Sequence, residues 1–181
     1  TGRTNPNHLP GVKMNNQSRH SGRDEWIRQT LDRFEGPLIR YAMKITGDLE
    51  SARDVVQETF LKLLAVPRRD IESRLAPWLF TVCRNGALDS IRRGQRMKSM
   101  ESQTIVSQDP QAVVLTERKE TATELMRLVG KLPKNQQEVL RLKFQNGLSY
   151  CEIGEVLGLT MTNVGYLIHV ALKTLRLQVK A

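Results

Sequence analysis

The sequence predicts an all-α protein of two small helical domains joined by a flexible linker. Three observations carry that expectation: nearly every segment repeats its apolar residues at steps of three and four, no segment alternates as a strand does, and a Ser/Gln-rich stretch interrupts the period near the middle. At 181 residues the chain suits one ordinary domain or two small ones, and the interruption at residues 97–108 favours two. Hydrophobic residues at 39% can build a core, and charged residues at 26% are too few for wholesale disorder.

The first helix follows from Trp26/Ile27, Leu31, Phe34, Leu38, Ala42 and Ile45, with a kink or restart expected at Gly36-Pro37. Asp48 is placed to cap the second helix, whose apolar face is Ala52, Val55/Val56, Phe60 and Leu63/Leu64. Pro67 closes it, and a charged loop follows (PRRDIESRL). Pro77 then suits the first turn of a third helix carrying Trp78/Leu79, Val82/Cys83, Ala87 and Ile91. Beyond the linker, Asp109-Pro110 is a cap and first-turn proline for a helix through Val113/Val114, Leu125 and Leu128/Val129. Leu132-Pro133 breaks that helix and starts another, with Val139, Leu140, Leu142 and Phe144 as its apolar residues and Gly147 ending it.

The next stretch, SYCEIGEVLGLTMTNVGYLIHVALKTL, has the spacing of a helix-turn-helix. Ser149 and Glu152 form a capping box, Gly154 permits close crossing of a second helix, and Gly158 turns the chain in a left-handed conformation. Leu159 plugs the corner and Thr160 caps the second helix, whose buried stripe is Val164, Leu167, Ile168, Ala171 and Leu175. An ordinary αα-hairpin rarely needs all of these together. If the unit binds DNA, Met161, Thr162, Asn163 and Tyr166 face the bases; Asn163 can pair with adenine, and Met161 or Thr162 can touch a thymine methyl. Lys173, Arg176, Arg141 and Lys143 then suit phosphate, or else form a solvated basic face.

Charge points to a polyanionic partner. Lys plus Arg number 28 against 19 Asp plus Glu, a net charge of +9, so nucleic acid or an anionic membrane surface is favoured over a basic ligand. Two basic blocks, residues 21–100 and 121–181, flank a slightly acidic stretch. In the first block, Arg84, Arg92 and Arg96 share one helical stripe and Asn85, Asp89 and Arg93 its neighbour, where Asp89 and Arg93 can pair. Arg68, Arg69 and Arg74 in the preceding loop extend this face, which suits capture of an unstacked base in a single strand. The second helix shows the opposite sign: Asp54, Gln57, Glu58 and Leu61 line an outward stripe, either a protein-binding surface or a solvated face.

Other classes find little support. His8, His20 and His169 are scattered without zinc spacing, so no metal or cofactor is expected. No nucleophile–base pair, phosphate loop or carboxylate cluster marks an enzyme. Cys83 and Cys151 fall in apolar helical patterns and read as buried free thiols of a reducing compartment. No stretch is long and apolar enough to insert in a membrane and no secretory signal opens the chain, so a cytoplasmic protein is expected. The chain starts at Thr1 with its first Met at Met14, so residues 1–13 read as an expression scar or upstream extension.

The stretches DLESARDVVQETFLKLL, APWLFTVCRNGALDSIRR and LPKNQQEVLRLKFQNGLSYCEIGEVLGLTMTNVGYLIHVALKTLR resemble, in this order, the extracytoplasmic-function (ECF) group of bacterial sigma-70 family factors. The resemblance implies an N-terminal extension over residues 1–23, region 2 over 24–98, a linker over 99–108 and region 4 over 109–181. It implies a sigma factor that binds core RNA polymerase and directs transcription from promoters, held inactive by an anti-sigma factor. Region 2 would dock Asp54, Gln57, Glu58 and Leu61 on the β′ clamp helices. Its residues Arg84, Asn85, Asp89, Arg92, Arg93 and Arg96 would melt the −10 element, with the loop of Arg68, Arg69 and Arg74 capturing a flipped base. Region 4 would read duplex −35 DNA with Thr160, Thr162, Asn163 and Tyr166, anchored by Lys173 and Arg176, and touch the β flap. Family members often carry Lys and Arg early in the recognition helix, where this chain has Gly165, Leu167 and Val170. A free-standing helix-turn-helix regulator is the alternative, but it needs neither the acidic stripe nor the basic helix; a helical adaptor leaves the helix-turn-helix and the charge unexplained.

Overall fold

A computed structural model describes the backbone of residues 16–100 and 117–179, and the side chains of residues 22–96 and 124–179. The described residues form α1 (Asn16–Thr46), α2 (Leu49–Ala65), α3 (Arg68–Ile71), α4 (Leu75–Met100), α5 (Glu117–Gly130), α6 (Lys134–Leu140), α7 (Tyr150–Leu157) and α8 (Met161–Val179). Glu72–Arg74 is a tighter 3₁₀ turn, and Arg141–Gln145 a wider π turn.

In the N-terminal bundle α1, α2 and α4 pack against one another around Leu38, Ala42, Ala52, Leu63, Leu79, Phe80, Cys83 and Ala87. Asp48 caps α2 as expected, its carboxylate accepting from the Ser51 N–H at 2.7 Å. Gly86 lets α4 approach α2 closely: a Cβ there would lie 3.2 Å from Val55 Cγ1. Of the two outcomes expected at Gly36-Pro37, a restart does not occur: α1 continues through Pro37. The backbone bond that proline removes is offset by burial on both sides, at Phe34 and Leu38 and at Tyr41 and Ala42.

The charged loop is also a correction. Residues 68–74 form α3 and the 3₁₀ turn and lead straight into α4, with Ile71 buried as the anchor. The helix α4 runs on to Met100, past the expected linker start, because no helix breaker stands among residues 97–100. The Asp109-Pro110 cap and Val113/Val114 lie outside the described residues. Leu64 at the end of α2 is exposed rather than inward.

In the C-terminal bundle α6 and α7 pack on α8 around Val139, Leu142, Leu148, Ile153, Val164, Ile168 and Ala171. On α5, which touches α8 only lightly, Leu128 is buried and Leu125 is 45% exposed. Phe144 is 64% exposed. The π turn, with Asn146 N–H donating to the Arg141 carbonyl at 3.2 Å, adds a residue to the last turn and rotates Phe144 off the buried stripe. Cys151 is exposed as well: it sits two residues, some 200° of helix, from Ile153 on the buried face of α7. The two bundles meet where α4 packs against α7.

Candidate functional site

The helix-turn-helix has the geometry that its residues predict. Ser149 Oγ accepts from the Glu152 N–H at 3.2 Å, and the Glu152 carboxylate accepts from the Ser149 N–H at 2.7 Å. Gly158 ends α7 at φ +68°, and the chain turns through 101° into α8. Thr160 Oγ1 accepts from the Asn163 N–H at 3.2 Å, so Thr160 serves as the cap of α8. Val164, Leu167, Ile168, Ala171 and Leu175 are all buried, which leaves Met161, Thr162, Asn163 and Tyr166 on the outer side of the first turns. Lys173 and Arg176 are exposed about 15 Å and about 20 Å further along the axis from Asn163. Arg141 and Lys143 are engaged internally: Arg141 donates to Gln137 Oε1 at 2.6 Å, and Lys143 donates to the Leu148 carbonyl and lies over the Tyr150 ring. Burial lowers the Arg141 pKa, partly offset by the charge of Glu138.

On the opposite bundle, α2 turns Asp54, Gln57, Glu58 and Leu61 outward in one stripe. Glu58 pairs with Lys62 at 3.1 Å. Leu61 is 59% exposed and borders a groove of about 430 Å³ between α1 and α2, whose walls include Ile27, Leu31, Gln57, Phe60 and Leu64. Arg23 donates to the Leu64 carbonyl at 2.6 Å.

The basic residues divide into three groups. Arg68 stacks over Trp26 and pairs with Glu72, which fixes α3 against α1; Arg69 and Arg74 are exposed beside it. Along α4, Asn85, Arg93 and Arg96 face outward, and Asp89 pairs with Arg92 at 3.1 Å instead of with Arg93. Arg84 differs from all of these. Its Nε donates to Glu138 Oε1 at 2.9 Å and its Nη2 to Oε2 at 3.4 Å, while Tyr41 Oη donates to the same Oε1 at 2.7 Å. Burial opposes the Arg84 charge, but the hydrogen bond and charge of Glu138 outweigh it, so its pKa is raised. Burial first, and then Glu138, raise that of Tyr41.

Among the described residues no group of three His, Cys, Asp or Glu is placed to hold a metal, and no single helix is long and apolar enough to cross a membrane.

Residues 30–97 match the family model for Sigma-70 region 2, and residues 122–175 that for Sigma-70, region 4. Over 155 residues the chain is 31% identical to the ECF RNA polymerase sigma factor SigL of Mycobacterium tuberculosis, covering 83% of this chain and 87% of that one. The chain belongs to the ECF sigma factors. This sigma factor, a transcription initiation factor by family, is also 28% identical to SigM of Bacillus subtilis over 76% of this chain and 85% of SigM. Its fold resembles that of the sigma factor RpoE, solved in complex with the anti-sigma factor NepR from Bartonella quintana, with a TM-score of 0.64 at 21% identity over 85% and 96% of the two chains. CnrH, solved with the cytosolic domain of CnrY, gives 0.55 at 22% identity over 91% and 94%.

Sequence reasoning missed Glu138, which grips Arg84, and Tyr41, which donates to Glu138. They stand 97 residues apart and meet only across the packed bundles, so no local spacing signals them.

Proposed function

We propose that this ECF sigma factor docks on the β′ clamp helices of core RNA polymerase through Asp54, Gln57, Glu58 and Leu61, and melts the −10 element with α4. Residues 24–98 form the polymerase-binding and melting unit, and residues 109–181 read the −35 element and touch the β flap. The single observation that supports this division is the sign of two outward faces on one bundle, acidic with an exposed leucine on α2 and basic on α4. Two faces of opposite charge on adjacent helices suit two partners, a protein and a polyanion.

In this mechanism Arg92, Arg93, Arg96 and Arg84 hold the backbone of the separated strand, while Asn85 offers hydrogen bonds to an unstacked base. Asp89 orients Arg92 through their 3.1 Å contact. Arg69 and Arg74 border the pocket for a flipped base, and Arg68 positions that segment through Trp26. On the upstream element Thr162, Asn163 and Tyr166 contact base edges, with Lys173 and Arg176 on phosphates. Thr160 acts by fixing the start of α8. An anti-sigma factor holds the protein inactive, in the cytoplasm or at the inner membrane, as the partners of the similar structures suggest.

Run-off transcription with purified core polymerase and a promoter library tests the reading. Initiation that depends on this chain, at promoters sharing two spaced elements, is the expected result. Duplex binding without initiation would make the protein a free-standing regulator.

A further inference from the structure

Tyr150 opens α7, and its ring lies on α8 at Gly165. A Cβ on that glycine would stand 3.6 Å from Tyr150 Cε2 and 3.8 Å from Cδ2, so the ring edge sits just beyond the space that a methyl group would fill. A third element holds the ring as well: Lys143 Nζ lies 5.3 Å from its centroid while donating to the Leu148 carbonyl at 3.3 Å. The register of α7 is fixed against the turn, because Gly154 meets the Leu159 carbonyl with no space for a Cβ.

On α8, Gly165 shares one helical stripe with Met161 and stands beside Thr162 and Tyr166; Tyr150, Met161 and Tyr166 are all exposed. Gly165 has no side-chain donor to offer a guanine, and the aromatic edge and the adaptable Met161 thioether make the surface around it apolar. Thymine alone among the four bases carries a methyl group in the major groove, and apolar contact is what recognises it.

We propose that Tyr150, held against Gly165 and flanked by Met161, is a specificity-determining residue that reads the C5-methyl group of a thymine in the −35 element. The inference rests on the role assigned to α8 under the proposed function. It gives a physical reason for the missing cation early in this helix. A long side chain at position 165 would grow from a Cβ already in contact with the ring, and would have to cross the ring or displace it. The two arrangements exclude each other and read different bases, since Arg or Lys pairs with guanine O6 and N7.

The test uses the full chain assembled with core RNA polymerase. Selection of bound duplexes from a randomised upstream element identifies the preferred bases, and each selected thymine is then replaced by deoxyuridine, which removes the methyl group alone. One such replacement should weaken binding about fourfold, the worth of a methyl group withdrawn from an apolar contact. Tyr150→Ala should bind the thymine and deoxyuridine duplexes alike, whereas Tyr150→Phe, which keeps the ring, should retain the difference. Gly165→Arg should change the base selected at that position from thymine to guanine. If no thymine responds to loss of its methyl group, or if the response survives Tyr150→Ala, the methyl contact is overturned. If Tyr150→Phe and Tyr150→Ala weaken both duplexes by the same factor, the hydroxyl grips a backbone phosphate instead, and the methyl contact is again overturned. In either case a relaxed selection with Asn163→Ala leaves α8 as the reader of the −35 element; a selection that returns no upstream element at all means that the proposed function itself fails on that point.

Discussion

Gly154 and Leu159 approach so closely that a Cβ on the glycine would lie 2.6 Å from the Leu159 carbonyl oxygen. The opposing atom is backbone, itself fixed by the Leu159 N–H donating to the Gly154 carbonyl at 2.9 Å, so no rotamer change can relieve the clash. Gly154→Ala should therefore destabilise the C-terminal bundle by about 3 kcal/mol, read as a lower urea midpoint with an unchanged m-value. A loss below 0.5 kcal/mol would mean that the turn yields.

Alkaline pH should weaken the N-terminal bundle. Burial pushes the Cys83 thiol from its ordinary 9.0 up to about 12. The unfolded chain then releases a proton that the folded chain keeps, so this stability is complete below pH 9 and is lost as pH rises toward 12. By pH 11 the thiol should account for a loss on the order of 2 kcal/mol. Tyr41, also raised, adds its own loss above its ordinary 10.0. Urea unfolding of Cys83→Ala, compared with the parent between pH 8 and 11, isolates the thiol: the two stability curves should converge with rising pH, and parallel curves would contradict the assignment.

Charge reversal on α2 should separate the two partners. Asp54→Lys with Glu58→Lys is expected to weaken core polymerase binding by tenfold or more, because both carboxylates are exposed on the proposed docking stripe. Duplex −35 binding by the same protein should stay within twofold. Fluorescence anisotropy with each partner reads both numbers, and equal losses would argue against the division of labour.

Asn163 should set sequence preference more than affinity. Asn163→Ala is expected to relax discrimination at one upstream base pair by about 1–3 kcal/mol, the worth of a bidentate contact. Selection of bound sequences from a randomised −35 element checks it; a uniform loss across all sequences would make Asn163 a positioning residue. Its backbone N–H already holds the cap at Thr160, so the variant should keep α8 intact.

Much of the fold was legible because its signals are local. The Asp48 cap, the Ser149/Glu152 box, the Gly158 turn and the stripe from Val164 to Leu175 all lie within a few residues of what they control. The misreadings were of another kind. Residues 68–74 look like a charged loop until Ile71 is buried, and Leu64 shares the apolar pattern of α2 yet lies exposed at its end. Pro37 reads as a kink or a restart, and burial on both sides rules out the restart by holding α1 continuous.

The same distinction holds for the site. Residue order alone yields two basic helical units, an acidic stripe and a helix-turn-helix, since cap chemistry and helical period act over single turns. It says nothing of which arginine reaches across to the other bundle. Arg84, Arg92 and Arg96 are equivalent along the stripe, yet Arg92 pairs with Asp89 of its own helix while Arg84 meets Glu138, because that meeting depends on how the two bundles dock. Partner choice for a charge is a property of packing, where burial strengthens an electrostatic contact and water no longer competes for it.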